Sequence, residues 1–249
     1  MPDINMANRQ VCDVLFSEYK SKKPFMDFDT ANVTGLQISG DSVFAMAKGS
    51  RRIAFQNPSE ATMTLEAQCM PFRAYALVSD GVVDTSAIYS EHKTIKCTEA
   101  GKITIPEITN GTIQAGTVFV FAKDEFGIGD GIGGTFASNV FTATEASDIA
   151  VNTEYEVGYI VNRTGVKKVS FNNKRMPKDY TVTMSTLDKD EDGVLTPFKI
   201  VAYKVSPQRN FELSFSSEGD PASVTMTLDC TEDKDGNLID MVELTEDAT

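Results

Sequence analysis

Residues 61–68 read ATMTLEAQ, and this stretch decides the fold class. Apolar and polar residues alternate along it without a break, and the apolar ones are Ala61, Met63, Leu65 and Ala67. Successive side chains of a β-strand point to opposite faces of the sheet, so this alternation predicts a strand with one buried face. The letters TMTL return at 225–228 within SVTMTLD (223–229) and predict a second strand of the same kind.

Other segments show the same pattern or a related one. Alternation continues in TVTMST (181–186) and FELSFS (211–216), whereas VFVFA (118–122) is apolar throughout and predicts a strand buried on both faces. Dipeptides that favour turns separate the predicted strands: Asn57-Pro58, Asn110-Gly111, Asp192-Gly193, Asp220-Pro221 and Asp235-Gly236. Only residues 7–20 have a weak helical character. The sequence therefore predicts an all-β protein, either a β-sandwich or a barrel.

Two heptapeptides resemble each other across the chain. RRIAFQN (51–57) and KKVSFNN (167–173) each contain two basic residues, a β-branched residue, a small residue, Phe, an amide and Asn. Each precedes a Thr- and Met-rich alternating segment, so we expect matching strands that begin a shared hairpin design. The alternative is coincidence, because the composition of β-strands is narrow.

The chain length and the cysteines limit the class of protein. The 249 residues fit one large all-β domain or two small ones. No segment approaches the ~20 apolar residues that a membrane-spanning helix needs, and the N-terminus lacks the layout of a secretion signal. Disulfide scaffolds and zinc sites need closely spaced cysteines, whereas these lie far apart: Cys12, Cys69, Cys97 and Cys230. We expect folding in a cytoplasm, with reduced and mostly buried thiols.

Charge is unevenly distributed along the chain. The formal net charge is −13, which argues against tight binding to nucleic acid. Ten acidic residues and one basic residue lie between 218 and 249, whereas six basic residues and no acidic one lie between 163 and 178. This segregation suits a head-to-tail contact between identical subunits, and a solvated surface is the simpler interpretation. The candidate subunit-interface residues open the two heptapeptides: Arg51, Arg52, Lys167 and Lys168.

DKDEDGVLTPFK (188–199) begins like a calcium-binding loop. Asp188, Asp190 and Asp192 occupy its first, third and fifth positions, followed by a glycine for the sharp turn. The twelfth position needs a bidentate carboxylate but holds Lys199. The three aspartates are therefore weak metal candidates, and an acidic Asp-Gly hairpin tip is the preferred interpretation.

Other motifs give no positive sign of catalysis. GDGIGG (129–134) has the spacing of a dinucleotide-binding loop, but a strand-like TFASNVF follows it where a helix is required. His92 is the only histidine, which is too few for a His-rich zinc site, and we expect it on an exposed strand. The chain contains no GxSxG nucleophile motif. We therefore expect a protein that is not an enzyme, with no catalytic residue and no cofactor.

The C-terminal third contains a recognisable succession of strands and turns. After KKVSFNN come a Pro-x-x-Tyr step at 177–180, the acidic hairpin, PFKI (197–200), EGDP (218–221) and a DGN turn at 235–237. Together with GSRRIAFQNPSEATMTLEAQ (49–68), this succession resembles the tail tube, or major tail, proteins of tailed bacteriophages. The similarity covers residues 35–75 and 155–245.

The resemblance implies a structural role in the virion. It implies a β-sandwich or barrel-like subunit that closes into hexameric rings, which stack into a hollow tail tube. DNA passes through the tube during ejection as a transient, non-specific passenger. The implied partners are further copies of the chain and tail proteins such as the sheath, the tape measure or the tail terminator, with no membrane. The implied location is the virion tail, after assembly in the host bacterial cytoplasm.

The resemblance also divides the chain. Residues 1–84 and 151–249 are assigned to the tail tube β core, and residues 85–150 to an inserted immunoglobulin-like or hairpin module or to long loops. Two other functions stay open: a capsid decoration or tail fibre adhesion module, and a secreted calcium-binding β module. The former would form isolated trimers or monomers on a shell instead of rings. The latter would lose thermal stability in EDTA.

Overall fold

The computed structural model describes residues 5–210, 212–213, 221 and 223–244. Most of its regular structure is strand, which confirms the all-β class. The strands are β1 (Met6–Ala7), β2 (Asp13–Glu18), β3 (Pro24–Phe28), β4 (Val33–Ser39), β5 (Ser42–Ala47), β6 (Ser50–Gln56), β7 (Glu60–Ala67), β8 (Asp84–Lys96), β9 (Lys102–Thr104), β10 (Gly111–Ile113), β11 (Phe119–Ala122), β12 (Gly134–Ala137), β13 (Val140–Ala143), β14 (Glu154–Lys168), β15 (Tyr180–Asp190), β16 (Leu195–Pro207), β17 (Val224–Thr231) and β18 (Ile239–Glu243). The helices of the described ranges are α1 (Ala74–Leu77) and two 3₁₀ turns, Ala115–Thr117 and Ala146–Asp148.

The chain forms two compact units. The first unit combines residues 1–82 with residues 169–249, and the second unit is the continuous segment 83–168. The second unit contains the segment 85–150, which is assigned from the sequence to an inserted module or long loops, and it also includes β14. Strand β14 belongs there because it pairs with β8 along most of its length.

The first unit is built on a nine-stranded antiparallel sheet. The strand order is β3-β2-β15-β16-β17-β7-β4, with β1 paired to β15 and β18 paired to β16. The two ends of this order, β3 and β4, are joined only by residues 29–32. The amide of Cys12, just before β2, donates a hydrogen bond of 3.0 Å to the Thr34 hydroxyl in β4. The sheet therefore curves until its ends approach each other, as in a barrel.

The two TMTL segments lie side by side in this sheet. Strands β7 and β17 pair so that Leu65 lies opposite Met226 and Met63 lies opposite Leu228. All four side chains are buried, as the alternation predicts. The same core receives side chains from β2, β3, β15, β16 and α1: Val14, Phe16, Phe25, Phe28, Ala74, Leu77, Tyr180, Val182, Met184, Ala202 and Val205.

Tyr180 and Gly81 explain how the chain after α1 is fixed. Tyr180 is fully buried, with its ring against Phe16 and Phe25 at centroid distances of 6.2 and 5.1 Å. Gly81 has a φ of 71°, and a Cβ there would lie 2.7 Å from the Tyr180 hydroxyl. Only glycine combines this backbone conformation with the close approach. Burial raises the pKa of Tyr180, so the hydroxyl stays neutral.

The second unit consists of two antiparallel sheets. In one sheet, β14 pairs with β8 along one edge and with β10 and β11 along the other. In the other sheet the order is β12-β13-β9. Residues from both sheets and their connections form one buried cluster: Cys97, Ile103, Ile105, Val120, Phe141, Ala143, Ile149, Tyr155, Val157, Tyr159 and Val161.

Three local predictions are wrong. Residues 7–20 contain strand β2 instead of a helix, because alternating Val14 and Phe16 fill the core while the strand pairs with β15. KKVSFNN is not a strand that matches RRIAFQN, since Lys167 and Lys168 end β14 and residues 169–173 lie outside any strand. VFVFA does supply β11, but Phe119 is exposed, so the strand is not buried on both faces.

Two further predictions are only partly decided. In FELSFS, residues 211 and 214–216 lie outside the described residues, and residues 212–213 are not in a strand. All four cysteines are free, but only Cys97 and Cys230 are buried, whereas Cys69 is exposed and Cys12 is half-buried. Burial raises the pKa of the Cys230 thiol to about 11.

Candidate assembly surfaces

Strands β5 and β6 form a two-stranded hairpin in the first unit that is not hydrogen-bonded to the large sheet. Lys48 and Gly49 form its turn, with positive φ angles of 50° and 78°. Positive φ at both central residues is the requirement of a type I′ turn, which matches the twist of the flanking strands. All residues from 45 to 60 are exposed. The hairpin is therefore regular in its backbone but uncovered on its surface.

One face of this hairpin is apolar. Val43 lies opposite Phe55, and Ala45 lies opposite Ile53, so these four side chains share what we call the hairpin face. Val43, Ile53 and Phe55 are 56%, 57% and 58% exposed. Covering the exposed parts of these three side chains would contribute about 3 kcal/mol. Contiguous exposed apolar surface is a common feature of protein contact sites.

The charged residues of the hairpin are all basic, and its other side also carries Phe44 and the exposed Met46. Residues 42–56 contain Lys48, Arg51 and Arg52 and no acidic residue. The Arg51 guanidinium lies 4.3 Å from the centroid of the Phe44 ring, on the side opposite the hairpin face. Arg52 is exposed. The first pair of predicted interface residues thus lies on an exposed strand.

The second predicted pair lies in the second unit. Lys167 is exposed, whereas the Lys168 ammonium lies 3.2 Å from the Asp84 carboxylate. Farther along, within the first unit, Arg175 donates a hydrogen bond of 2.8 Å to buried Asp80. This hydrogen bond lowers the pKa of Asp80. Some charges of the basic segment are therefore already paired within their own chain.

The face of the large sheet opposite the core is rich in hydroxyl groups. On β7 and β17 this hydroxyl face consists of Thr62, Thr64, Glu66, Thr225, Thr227 and Asp229. Thr64 lies directly opposite Thr227, and neither strand contains a basic residue. Thr181, Thr183 and Ser185 of β15 point to the same side, but β16 lies between β15 and β17 and places Lys199 opposite Ser185. On β7 and β17 the result is a neutral to acidic surface without large apolar side chains.

The second unit has an open apolar face of its own. The β14 residues that point away from the buried cluster, with their neighbours on β8 and β11, form it. We call it the aromatic face, and it consists of Ile88, Phe119, Phe121, Phe126 and Ile160. Phe119 and Ile88 are 59% and 63% exposed. Like the hairpin face, it lacks a partner within the described part of the chain.

Phe126 fixes the glycine-rich loop 124–133 on the aromatic face. Its ring stacks on His92 with centroids 4.0 Å apart and meets Phe121 edge-on at 5.2 Å. Its amide donates a hydrogen bond of 3.1 Å to Glu156. A Cβ on Gly158 would lie 2.7 Å from the Phe126 ring, so glycine provides the space for it. His92 lies on an exposed strand, as predicted.

Two uncovered apolar faces and an extended hydroxyl face are features of a protein that contacts other proteins. A family model described as the YomU/Tube protein family matches residues 9–243. The chain belongs to the YomU/Tube protein family. This confirms the resemblance to phage tail tube proteins. It makes the YomU/Tube chain a structural component of the virion. No curated protein matches it.

In this YomU/Tube protein the acidic motif 188–199 is the tip of the β15–β16 hairpin, as predicted. The Asp190 carboxylate accepts a hydrogen bond of 2.7 Å from the Val194 amide, and Asp188 accepts one of 2.7 Å from the Asn8 side chain. Within the described ranges, no three His, Cys, Asp or Glu side chains are grouped to hold a metal ion. The structure therefore does not bring Asp188, Asp190 and Asp192 together as ligands.

Two other features of the YomU/Tube chain bear on the sequence analysis. GDGIGG ends where strand β12 begins, so the strand-like segment after it is confirmed. Throughout the described residues, no helix has the length and apolar character needed to cross a membrane.

Sequence reasoning missed the apolar residues of the hairpin and aromatic faces. Their signal is the lack of alternation in SVFAMA (42–47) and VFVFA (118–122), where apolar residues occupy both faces of one strand. Such strands need a cover on each side, and the second cover can come from another molecule.

Proposed function

We propose that this YomU/Tube protein closes into hexameric rings, that the rings stack into the hollow tail tube, and that phage DNA passes through the tube during ejection. The chain acts as a building block and not as an enzyme. Its further partners are other tail proteins that contact the tube, such as the sheath, the tape measure or the tail terminator. Assembly takes place in the cytoplasm of the host bacterium.

The hairpin face carries this proposal. A regular hairpin with three apolar side chains more than half exposed adds little to the buried core of its own chain. A second copy of the chain is the partner that a tube supplies, because every subunit meets identical neighbours. Arg51 and Arg52 then lie at the subunit contact, where the sequence predicts them. Lys167, exposed on the second unit, is a further proposed contact residue.

The energy gained by covering the hairpin face favours a polymer of many subunits over a dimer. Covering one hairpin face contributes about 3 kcal/mol, whereas association of two free molecules costs roughly 4–15 kcal/mol in lost motion. A single contact of this kind therefore leaves dilute subunits apart. In a stack of rings each subunit makes several contacts at once, and their energies add against one loss of motion. The subunits stay soluble until an initiating surface is present.

The hydroxyl face suits the lumen of the tube. A surface that lets DNA pass must not hold phosphate, and this face offers Thr64, Thr227 and Asp229 without a basic residue on β7 or β17. Fixed negative charge repels phosphate over roughly 8 Å at physiological salt. The net charge of −13 acts in the same direction.

Negative-stain electron microscopy of the purified chain, incubated at high concentration for days, tests the proposal. We expect hollow tubes of constant diameter built from stacked rings with sixfold symmetry. Closed trimers, or solid fibres without a lumen, would contradict it and favour a decoration or adhesion role.

A further inference from the structure

The hairpin face and the aromatic face are complementary. Each is an uncovered apolar sheet surface, and the charges of the hairpin and of the loop beside the aromatic face are opposite in sign. Lys123, just before that loop, is already paired with Glu154 at 2.5 Å. The charged residues of the hairpin are Lys48, Arg51 and Arg52, of which Arg51 lies on the side opposite the hairpin face. Around the aromatic face the charged residues include Glu156, which contacts Phe126, and the loop residues Asp124, Glu125 and Asp130. Residues 124–138 contain no basic residue.

We propose that the β5–β6 hairpin of one copy docks on the aromatic face of the second unit of another copy. Ile53 and Phe55 then cover Phe119 and Ile88, and the basic hairpin as a whole comes close to the acidic loop. The inference rests on the proposed self-assembly and adds to it: the second unit becomes a receptor for a neighbouring subunit.

Three observations support this pairing over docking between two identical faces. Two hairpins in contact would bring two segments of net positive charge close together, and two aromatic faces would bring their acidic loops together, which opposes both contacts. The pairing of unlike faces removes this repulsion. It also leaves one unused face on each copy, so the contact continues from subunit to subunit instead of stopping at a dimer.

The aromatic face is preorganised for such a contact. Phe126 is held by His92, Phe121 and Glu156, so the loop already lies on the sheet before a partner arrives. Ile128, at the tip of this loop, is 88% exposed. Because Ile128 is apolar and exposed beside the aromatic face, it extends the apolar surface that the hairpin would cover. Little ordering of the loop is then needed on docking.

Cross-linking between two differently tagged full-length chains tests the docking. One chain carries Ile53→Cys, the other carries Phe119→Cys, and both carry Cys69→Ser to remove the exposed native thiol. A short bismaleimide should give heterodimers in the mixture and little product with either chain alone. The matched control replaces Ile53→Cys by Ala54→Cys, which lies on the other side of the same strand. Equal yields with both hairpin variants, or no heterodimer, would overturn the proposal.

Charge reversal provides a second, independent readout. Arg51→Glu with Arg52→Glu in one chain, or Glu125→Lys with Asp130→Lys in the other, should lower the heterodimer yield roughly tenfold. The mixture of both reversed chains should recover most of the yield. Reversal of Lys20 and Lys23, exposed bases elsewhere in the first unit, is the control and should change little. Failure of the combined reversal to recover the yield would overturn the docking.

The two proposals fail in different ways. If the Phe119→Asp chain forms normal tubes, the docking is wrong while the tube assembly stands. In the opposite case, the unmodified chain forms no tubes, while the Ile53→Cys chain gives the heterodimer and the Ala54→Cys control does not. The docking then stands and the hexameric tube is wrong. Circular dichroism of each variant confirms that it is folded, which is expected because the substituted residues are exposed.

Discussion

The β7–β17 pair and the β5–β6 hairpin are both antiparallel and rich in apolar residues, but they differ in what lies against them. Met63 and Leu65 are almost completely buried, whereas Ile53 and Phe55 are 57% and 58% exposed. The first pair belongs to a curved sheet that closes over its own core. The apolar side chains of the second, the hairpin, stay exposed instead of packing into that core. Similar local patterns therefore serve folding in one region and, in our proposal, assembly in the other.

The largest expected effect comes from truncating a buried side chain of the β7–β17 pair. Leu65→Ala removes a fully buried side chain and should lower the free energy of unfolding by about 3 kcal/mol. Ile53→Ala should lower it by less than about 0.5 kcal/mol, because the side chain is already in water. Urea denaturation of the dilute chain measures both. Equal losses would show that the hairpin face is part of the core.

Charge placed on the hairpin face should weaken assembly. Ile53→Asp with Phe55→Asp places two carboxylates on the hairpin face, and the concentration needed for assembly should rise at least tenfold, since about 1.4 kcal/mol is lost per tenfold change. Gln56→Asp, which lies on the other face of the hairpin, is the control and should have a much smaller effect. Sedimentation velocity gives the assembled fraction. An unchanged threshold would remove the hairpin face from the contact.

A smaller effect concerns Asp80, which lies just after α1. The Arg175 hydrogen bond lowers the Asp80 pKa in the folded chain, so the pair stabilises fully above the unfolded pKa of about 3.9. This contribution is lost as the pH falls through the folded pKa. Asp80→Asn should cost about 1 kcal/mol at pH 7, because Arg175 is largely exposed.

Thermal melts between pH 2 and pH 7 measure this contribution. The difference between the wild-type chain and Asp80→Asn should shrink as the pH falls. A difference that grows toward acid would contradict the assigned direction of the pKa shift.

The smallest expected effect is local to the aromatic face. Gly158→Ala forces the Phe126 ring to move and should cost less than about 1 kcal/mol, because the far end of a side chain can shift. The loop 124–133 should then be cut faster by a protease, as its hold on the sheet weakens. Gly116→Ala, where a Cβ would meet nothing within 4 Å, is the matched control. Equal cleavage rates would show that Phe126 does not fix the loop.

The sequence predicts the elements whose buried face is set by alternation. β7, β15 and β17 follow directly from it, and the 188–199 tip follows from Asp192-Gly193, where Gly193 has a φ of 89°. The helix predicted at 7–20 is wrong because strand pairing of β2 with β15 outweighs a weak local preference. The strand predicted at 167–173 is wrong because similarity to 51–57 specifies no pairing partner.

The candidate surfaces are harder to predict, because exposure depends on contacts between distant residues. Arg51 and Arg52 are predicted interface residues because they open one of the two similar heptapeptides, whereas the apolar hairpin face requires the register of β5 with β6. Phe119 was expected to be buried because a run of apolar residues does not say which face lacks a cover. The aromatic face needs Gly158, His92 and Phe126 to meet, and these come from three separate segments.

Cryo-electron microscopy of the assembled chain tests the central claim most directly. We expect a hollow tube in which Val43, Ile53 and Phe55 are buried against a neighbouring subunit and the hydroxyl face of β7 and β17 lines the lumen. A tube with these three side chains in solvent, or with the basic hairpin pointing into the lumen, would contradict it.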